Sequence, residues 1–382
     1  MSNTDIIPAE IFPPGEFIRD ELAARGWEQR DLAEIMGRPE RTISELVSGK
    51  RSITPETAQQ LGEAFGSTPQ FWLNLETAYR LWRLPRQDGS VARRARLYAL
   101  APIKELARRG WIRHSERVEV LEAEVKRFLG IPTLDETPAD AVAVARKSSG
   151  DAVFSPVERA WVCRARQLAK KADAARFDAS RLELLWPRLK ALRARAEDVR
   201  EVPRVLGSSG IRLVIVEQIA GAKIDGACFW LPAKQPVVAL SLRFDRIDCF
   251  WFTLMHELGH VAAGDGRDSE IPPDVELVGN AEGTPAKRPA FEAAADRFAS
   301  RFLLAERALA EFIAKTRPYY SKERVETFAR EHAVHPGLVV GQLQHRGEIP
   351  YANFRSHLVK VRSQLLETTV ADGWGISPIA ED

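Results

Sequence analysis

At 382 residues and 45% hydrophobic content the chain has room for two or three cores, and with no apolar run near the roughly 18 residues of a bilayer-spanning helix a membrane span is excluded. The start Met1-Ser2-Asn3-Thr4-Asp5 lacks the basic and apolar stretches of a secretory signal, and Cys163, Cys228 and Cys249 are too scattered for a disulfide framework or a cysteine metal cluster, so the chain reads as a cytoplasmic protein. A net charge of +2 conceals an asymmetry: residues 1–80 hold 8 Lys and Arg against 13 Asp and Glu, whereas residues 81–200 hold 26 against 16.

Five short helices are expected first. Pro13-Pro14-Gly15 opens one that runs through Ala24, with Phe17, Ile18 and Leu22 as its apolar face and Gly26 as its stop. Glu28 to Met36, closed by Gly37, forms the second, and Pro39 to Val47 the third. Thr54-Pro55-Glu56 caps a fourth that reaches Phe65, and Ser67-Thr68-Pro69 starts a fifth carrying Phe71, Trp72, Leu75 and Leu81. A glycine turn between the second and third marks a helix-turn-helix unit. The third helix would enter the major groove of a double-stranded DNA operator. Arg38, Glu40, Arg41, Thr42, Ser44 and Glu45 stand at its front, with Arg41 and Thr42 facing base edges, while Gln29, Lys50 and Arg51 meet phosphates.

The run Gln29-x-Asp31-Leu32-Ala33 through Ser44-x-Leu46-x-Ser48-Gly49-Lys50 and on to Pro69-x-Phe71-Trp72-Leu73-Asn74-Leu75 resembles the Cro/repressor class and, within it, HigA-type antitoxins, over residues 11 to 82. The resemblance implies DNA binding and, by analogy, a homodimer on paired half-sites. Because DNA affinity rests largely on phosphate neutralisation, so acidic a domain must gather its few cations on one face.

Pro85 to Ser90 breaks the chain. The Ala-rich sequence beyond it carries Arg93-Arg94-x-Arg96, Arg108-Arg109, Lys170-Lys171 and Arg188-x-Lys190-x-x-Arg193-x-Arg195, which reads as a solvated helical surface, with phosphate tracking as the second reading. A second junction falls between Val202-Pro203 and Gly210. Beyond it Ile211–Val216, Ala227–Leu231 and Val237–Leu242 read as strands, one edge of which could take an extended peptide by strand addition.

His256-Glu257-Leu258-Gly259-His260 follows, on a helix that Gly264 to Gly266 should end. Residues four apart share a helix face, so both imidazoles can converge on one zinc ion (Zn2+). Glu257, turned about 100° away, can instead act as general base on the attacking water. Zinc needs a third protein ligand, and in the helix Pro289 to Leu304 Glu292 is well placed to be it. The three alanines after it allow close approach, and Asp296, one turn on, can fix the free ring nitrogen of a ligating histidine. His335, His345, Tyr319 and Tyr320 are candidates to steady an oxyanion; none is assigned.

The run Phe252 to His260 with Glu292-x-x-Ala295-Asp296-x-Phe298-Ala299 resembles the ImmA/IrrE-type metallopeptidases over residues 211 to 304. The resemblance implies a gluzincin-like fold with the two histidines and the downstream glutamate on zinc. Ala305 stands where that family commonly has proline, which touches the helix end and not the chemistry.

The expected architecture is multi-domain: an all-α helix-turn-helix bundle (1–83), a basic helical region (84–205), an α+β gluzincin-like metallopeptidase domain (206–370) and an acidic tail (371–382). Three functions fit: a DNA-binding regulator with a working zinc endopeptidase acting on a regulator or toxin; a HigA-like repressor whose peptidase fold only senses or binds; and a peptidase whose helix-turn-helix docks proteins. The intact base and ligand set favour the first, and the acidic first domain is the support for the third.

Overall fold

The computed structural model describes residues 11–85, 89–134, 155–232, 234–267, 274–275 and 290–373. The chain divides once, into units of residues 1–89 and 90–382.

In the first unit α1 (Pro14–Arg25), α2 (Gln29–Met36), α3 (Glu40–Val47), α4 (Pro55–Phe65) and α5 (Pro69–Arg83) close on one core that includes Ile18, Leu32, Ile43, Leu46, Leu61 and Trp72. Thr54 and Thr68 cap α4 and α5, each hydroxyl accepting a backbone N–H 3.3 Å away, with proline in the first turn. Between α2 and α3 the turn needs a left-handed residue; Gly37, at φ 62°, supplies it without a Cβ penalty.

The second unit is built on a mixed sheet of β1 (Arg212–Ile215), β2 (Ile224–Leu231), β3 (Gln235–Leu240), β4 (Asp274–Val275) and β5 (Val370–Ala371), in the order β4-β2-β3-β1-β5. The strand β1 runs parallel to β3 and β5, whereas β2 is antiparallel to β3 and β4. Alternate side chains divide between two cores. Leu213, Ile215, Cys228, Val238 and Leu240 face one way, and Val214, Ala227, Phe229, Val237 and Ala239 the other. A sheet covered on both faces explains why its strands read as continuous apolar runs.

The second cover comes from sequence that read as a separate middle region. Helices α6 (Ser90–Leu100), α7 (Ile103–Arg108), α8 (Val118–Leu129) and α9 (Pro156–Ala169) bury Leu97, Leu106, Leu121 and Trp161 against the second face, and Trp161 Nε1 donates to the Val216 carbonyl across 2.9 Å. Helices α10 (Leu182–Ala191) and α11 (Val202–Ser208) join the first face. The described helices between residues 90 and 205 therefore belong to the same unit as the sheet, because their apolar faces pack on it as well as on one another. Several of their cations are engaged locally: Arg93 with Glu119 and Glu122, Arg108 with Glu105, and Arg109 with Glu105 and Asp372. The acidic tail also begins later than the sequence suggested, since Val370 and Ala371 pair with β1 and Asp372 meets Arg109; residues 374–382 lie outside the described residues.

On the first face lies α12 (Ile247–Ala263), with Phe250, Trp251, Leu254 and Leu258 in the core. Against it pack α13 (Ala290–Leu303) and, further on, α14 (Glu306–Thr316), α15 (Lys322–Glu331), α16 (Pro336–His345) and α17 (Arg362–Leu366).

Candidate functional site

Helix α12 is long and apolar, and His256, Glu257 and His260 are fully buried within it. Burying three ionisable groups is costly unless each has a partner or a metal. Gly259 lets α13 come close: a Cβ there would stand 3.2 Å from Ala295 Cα and 3.3 Å from the Phe298 ring. The approach delivers Glu292. Its Oε2 lies 3.1 Å from His256 Nε2 and 3.6 Å from His260 Nε2, and the two imidazole nitrogens are 3.1 Å apart. A tetrahedral zinc with bonds of about 2.0–2.2 Å sets its ligand atoms about 3.3–3.6 Å apart, so two nitrogens and one carboxylate oxygen in this triangle fit that ion. Among the described residues this is the cluster whose donor atoms converge in that way.

The outer ring nitrogens are held as well. His256 Nδ1 lies 3.0 Å from Asp296 Oδ1 and His260 Nδ1 3.0 Å from Asp265 Oδ2. A proton on each Nδ1 leaves each Nε2 lone pair facing the triangle. Burial pulls the His260 imidazole down, but bonds to Glu292 and Asp265 outweigh it and leave it above its usual value. Burial pushes Glu292 up, yet the two histidines hold it well below the carboxylate range.

Asp265 escaped the sequence reading. It follows Gly264, which ends α12 in the left-handed conformation and turns the chain back over the helix end; the Asp265 carbonyl accepts from Trp230 Nε1 at 2.7 Å. An acid directly after the capping glycine was the available signal. Gly226 of β2 was missed too. A Cβ there would meet Glu257 Oε1 and lie 2.9 Å from Thr253 Cγ2, so this glycine makes room for the Glu257 carboxylate against the sheet.

The β2 edge is partly taken, since β4 pairs with Ile224 and Gly226. Of the groups considered for an oxyanion, His335 accepts from Gly337 N at the start of α16, Tyr320 donates to Glu348, and Tyr319 is exposed. His345 is separated from His256 by one ring, that of Phe252. Most of residues 264–288, a Gly-, Pro- and acid-rich stretch long enough to rim the site, lies outside the described residues.

In the first unit Glu40, Arg41, Ser44, Lys50 and Arg51 are exposed on and just after α3, while Gln29, Arg38 and Thr42 are half-buried. Arg41 and Arg51 both donate through Nε to Glu45, at 2.9 and 3.0 Å. Arg38 is turned to Gln60 at 2.5 Å, which gives it a bracing contact within the domain.

Two families match. The helix-turn-helix family matches residues 18–72 and the IrrE N-terminal-like domain, peptidase M78, residues 208–344. The fold and site thus define a DNA-binding helix-turn-helix domain joined to an IrrE/ImmA-like peptidase domain. The chain belongs to the HTH-type transcriptional regulators: it is 40% identical over 78 residues to the uncharacterized regulator YddM of Escherichia coli K12, covering 20% of this chain and 80% of that protein. It is 41% identical over 69 residues to Antitoxin HigA-1 of Vibrio cholerae, covering 18% of this chain and 65% of that protein. PA4674 of Pseudomonas aeruginosa, solved in complex with its operator DNA, aligns at 33% identity over 19% of this chain and 78% of that one, with a TM-score of 0.19.

Proposed function

We propose that the protein is a transcriptional regulator that binds operator DNA through its first unit and hydrolyses a peptide bond in another protein at a zinc centre in its second. The observation that carries the hydrolytic half is the convergence of His256, His260 and Glu292 beside the buried carboxylate of Glu257. When bound there, zinc supplies a Lewis acid that acidifies water and polarises the scissile carbonyl. Glu257 takes the proton of the attacking water and passes it to the leaving amine. Asp296 and Asp265 hold the two imidazoles in the ligating tautomer. The β2 edge beyond Gly226 holds the substrate as an added strand, which suits recognition of an extended backbone. The substrate is a regulator or toxin protein, the surroundings in which a HigA-like domain operates. A homodimer would present two recognition helices to paired half-sites, with Arg41 and Thr42 toward bases and Gln29, Lys50 and Arg51 toward phosphates.

A complete donor set with an intact base favours hydrolysis over a fold that only senses. Full-length protein is to be assayed for zinc per chain and incubated, with and without a chelator, with the products of neighbouring genes. Zinc in about equimolar amount and cleavage that ceases on chelation are expected. Failure to take up zinc, or cleavage that survives Glu257→Gln, would overturn the assignment.

A further inference from the structure

Beside the candidate metal centre a groove of about 240 Å3 runs between α13 and the end of α16. Three arginines line it. Arg297 and Arg301 lie four apart on one face of α13, and Arg346 caps α16. All three are exposed, and among the described residues none makes an ion pair or a side-chain hydrogen bond, although Arg346 is close enough to Glu348 for its charge to act on that carboxylate. The contrast with other surface arginines is informative, since Arg41, Arg51, Arg93, Arg108 and Arg317 each hold a carboxylate. Two carboxylates share the groove, Asp296 and Glu306, and Asp296 is already committed to His256 Nδ1. His345 lines it too, one phenyl ring away from His256.

Resting on the peptidase reading, we propose that this groove is a specificity subsite of the metal centre that takes acidic side chains of the substrate polypeptide. Asp296 belongs both to the groove wall and to the hydrogen-bonded shell of His256, so the groove adjoins the reacting centre. The chemistry of the lining selects the ligand. A guanidinium without a partner presents a fork of donors matched to a carboxylate. A nucleic-acid strand, charged at every phosphate, would have to pass Asp296 and Glu306, whereas a peptide with isolated acidic side chains and a neutral backbone need not.

The test uses full-length Glu257→Gln protein loaded with zinc, so that binding is read without turnover. Its probes are a fluorescein-labelled glutamate-rich peptide and the same peptide with every glutamate replaced by glutamine. The acidic peptide should bind roughly tenfold tighter, a factor that three exposed charge pairs supply, and the preference should shrink with salt. Changing Arg297, Arg301 and Arg346 to Gln should abolish the preference, and Arg301→Glu should turn it toward a lysine-rich peptide. Equal affinity for the two probes, an unchanged preference in the triple variant, or displacement of the peptide by a single-stranded oligonucleotide at lower concentration would each overturn the proposal. Binding with the expected preference, while zinc-loaded wild type cleaves no acidic peptide, would instead count against the hydrolytic reading and leave the charge selectivity standing.

Discussion

Glu45 and Glu292 are both half-buried carboxylates placed between two nitrogen-bearing side chains, exposed in one case and buried in the other. On α3, Glu45 accepts from Arg41 and Arg51, whose side chains are exposed, and Glu292 faces His256 and His260, both fully buried. Each carboxyl is held below its ordinary value: Glu45 by bonds from Arg41 and Arg51, Glu292 by the two histidines against the upward pull of burial. At the surface the Glu45 contacts are screened by water and salt and can be exchanged for others. The Glu292 contacts are made to buried partners and have no such substitute, so that group stays with the two histidines. Of these two carboxylates, Glu45 keeps its partners exchangeable and Glu292 keeps its partners fixed.

The largest effect expected is at Glu257. Replacing it with Gln should lower the hydrolytic rate by about 10²–10⁴-fold, while zinc content measured on the same preparation stays near that of wild type. Loss of zinc together with activity would show that Glu257 belongs to the ligand set. Glu292→Ala should lower zinc occupancy directly; if affinity is unchanged, the third ligand lies elsewhere. Asp265→Ala and Asp296→Ala act one bond further out, and each should weaken zinc by about 10–100-fold in competition with a chromophoric chelator. Occupancy should also fall as the pH drops, because a ligating histidine must be deprotonated. With His260 held above the usual imidazole value in the metal-free protein, that competition should begin at a higher pH than for a free imidazole.

Gly226→Ala separates geometry from ligation. The new methyl would stand where the Glu257 carboxylate lies, so activity should fall with zinc content intact. Unchanged turnover would mean that the carboxylate has room to move and that its position against β2 is not required.

On the open side of the comparison the effects are smaller. Arg41→Ala should narrow the gap between an operator and a scrambled duplex by about 1–3 kcal/mol, whereas Lys50→Ala should weaken both alike and reduce the salt slope by about one unit. Glu45→Gln should do the reverse of Lys50→Ala. It removes a negative charge from beside Arg41 and Arg51, so titrations at two salt concentrations should show a steeper slope by about one unit. If it instead lowers affinity, Glu45 is needed to hold the two arginines in their reading geometry. Chelated protein should bind DNA as before, since the first unit has its own core; lost binding would end the picture of two independently working units.

Local rules made much of this legible. The histidine spacing fixed a shared face because an α-helix turns once every 3.6 residues. Thr54-Pro55 and Thr68-Pro69 announced two helix starts because a hydroxyl and a proline suit the unpaired first turn. The strands were legible as apolar runs, although the third ends at Leu240 and not Leu242, where φ of 50° takes the chain out of the extended region.

What the tertiary structure alone decided depends on approach between distant segments. Asp265 reaches His260 only because the chain folds back after Gly264, and Gly226 matters only because β2 passes under Glu257. The basic helices of 90–169 looked like a region apart because their charges dominate the sequence, yet their apolar faces cover the sheet. Spacing along one element determines which groups can share a face. Which faces meet is decided by packing between elements, and a single sequence records that only where, as at Gly259 and Ala295, the residues are small enough to show that something must come close.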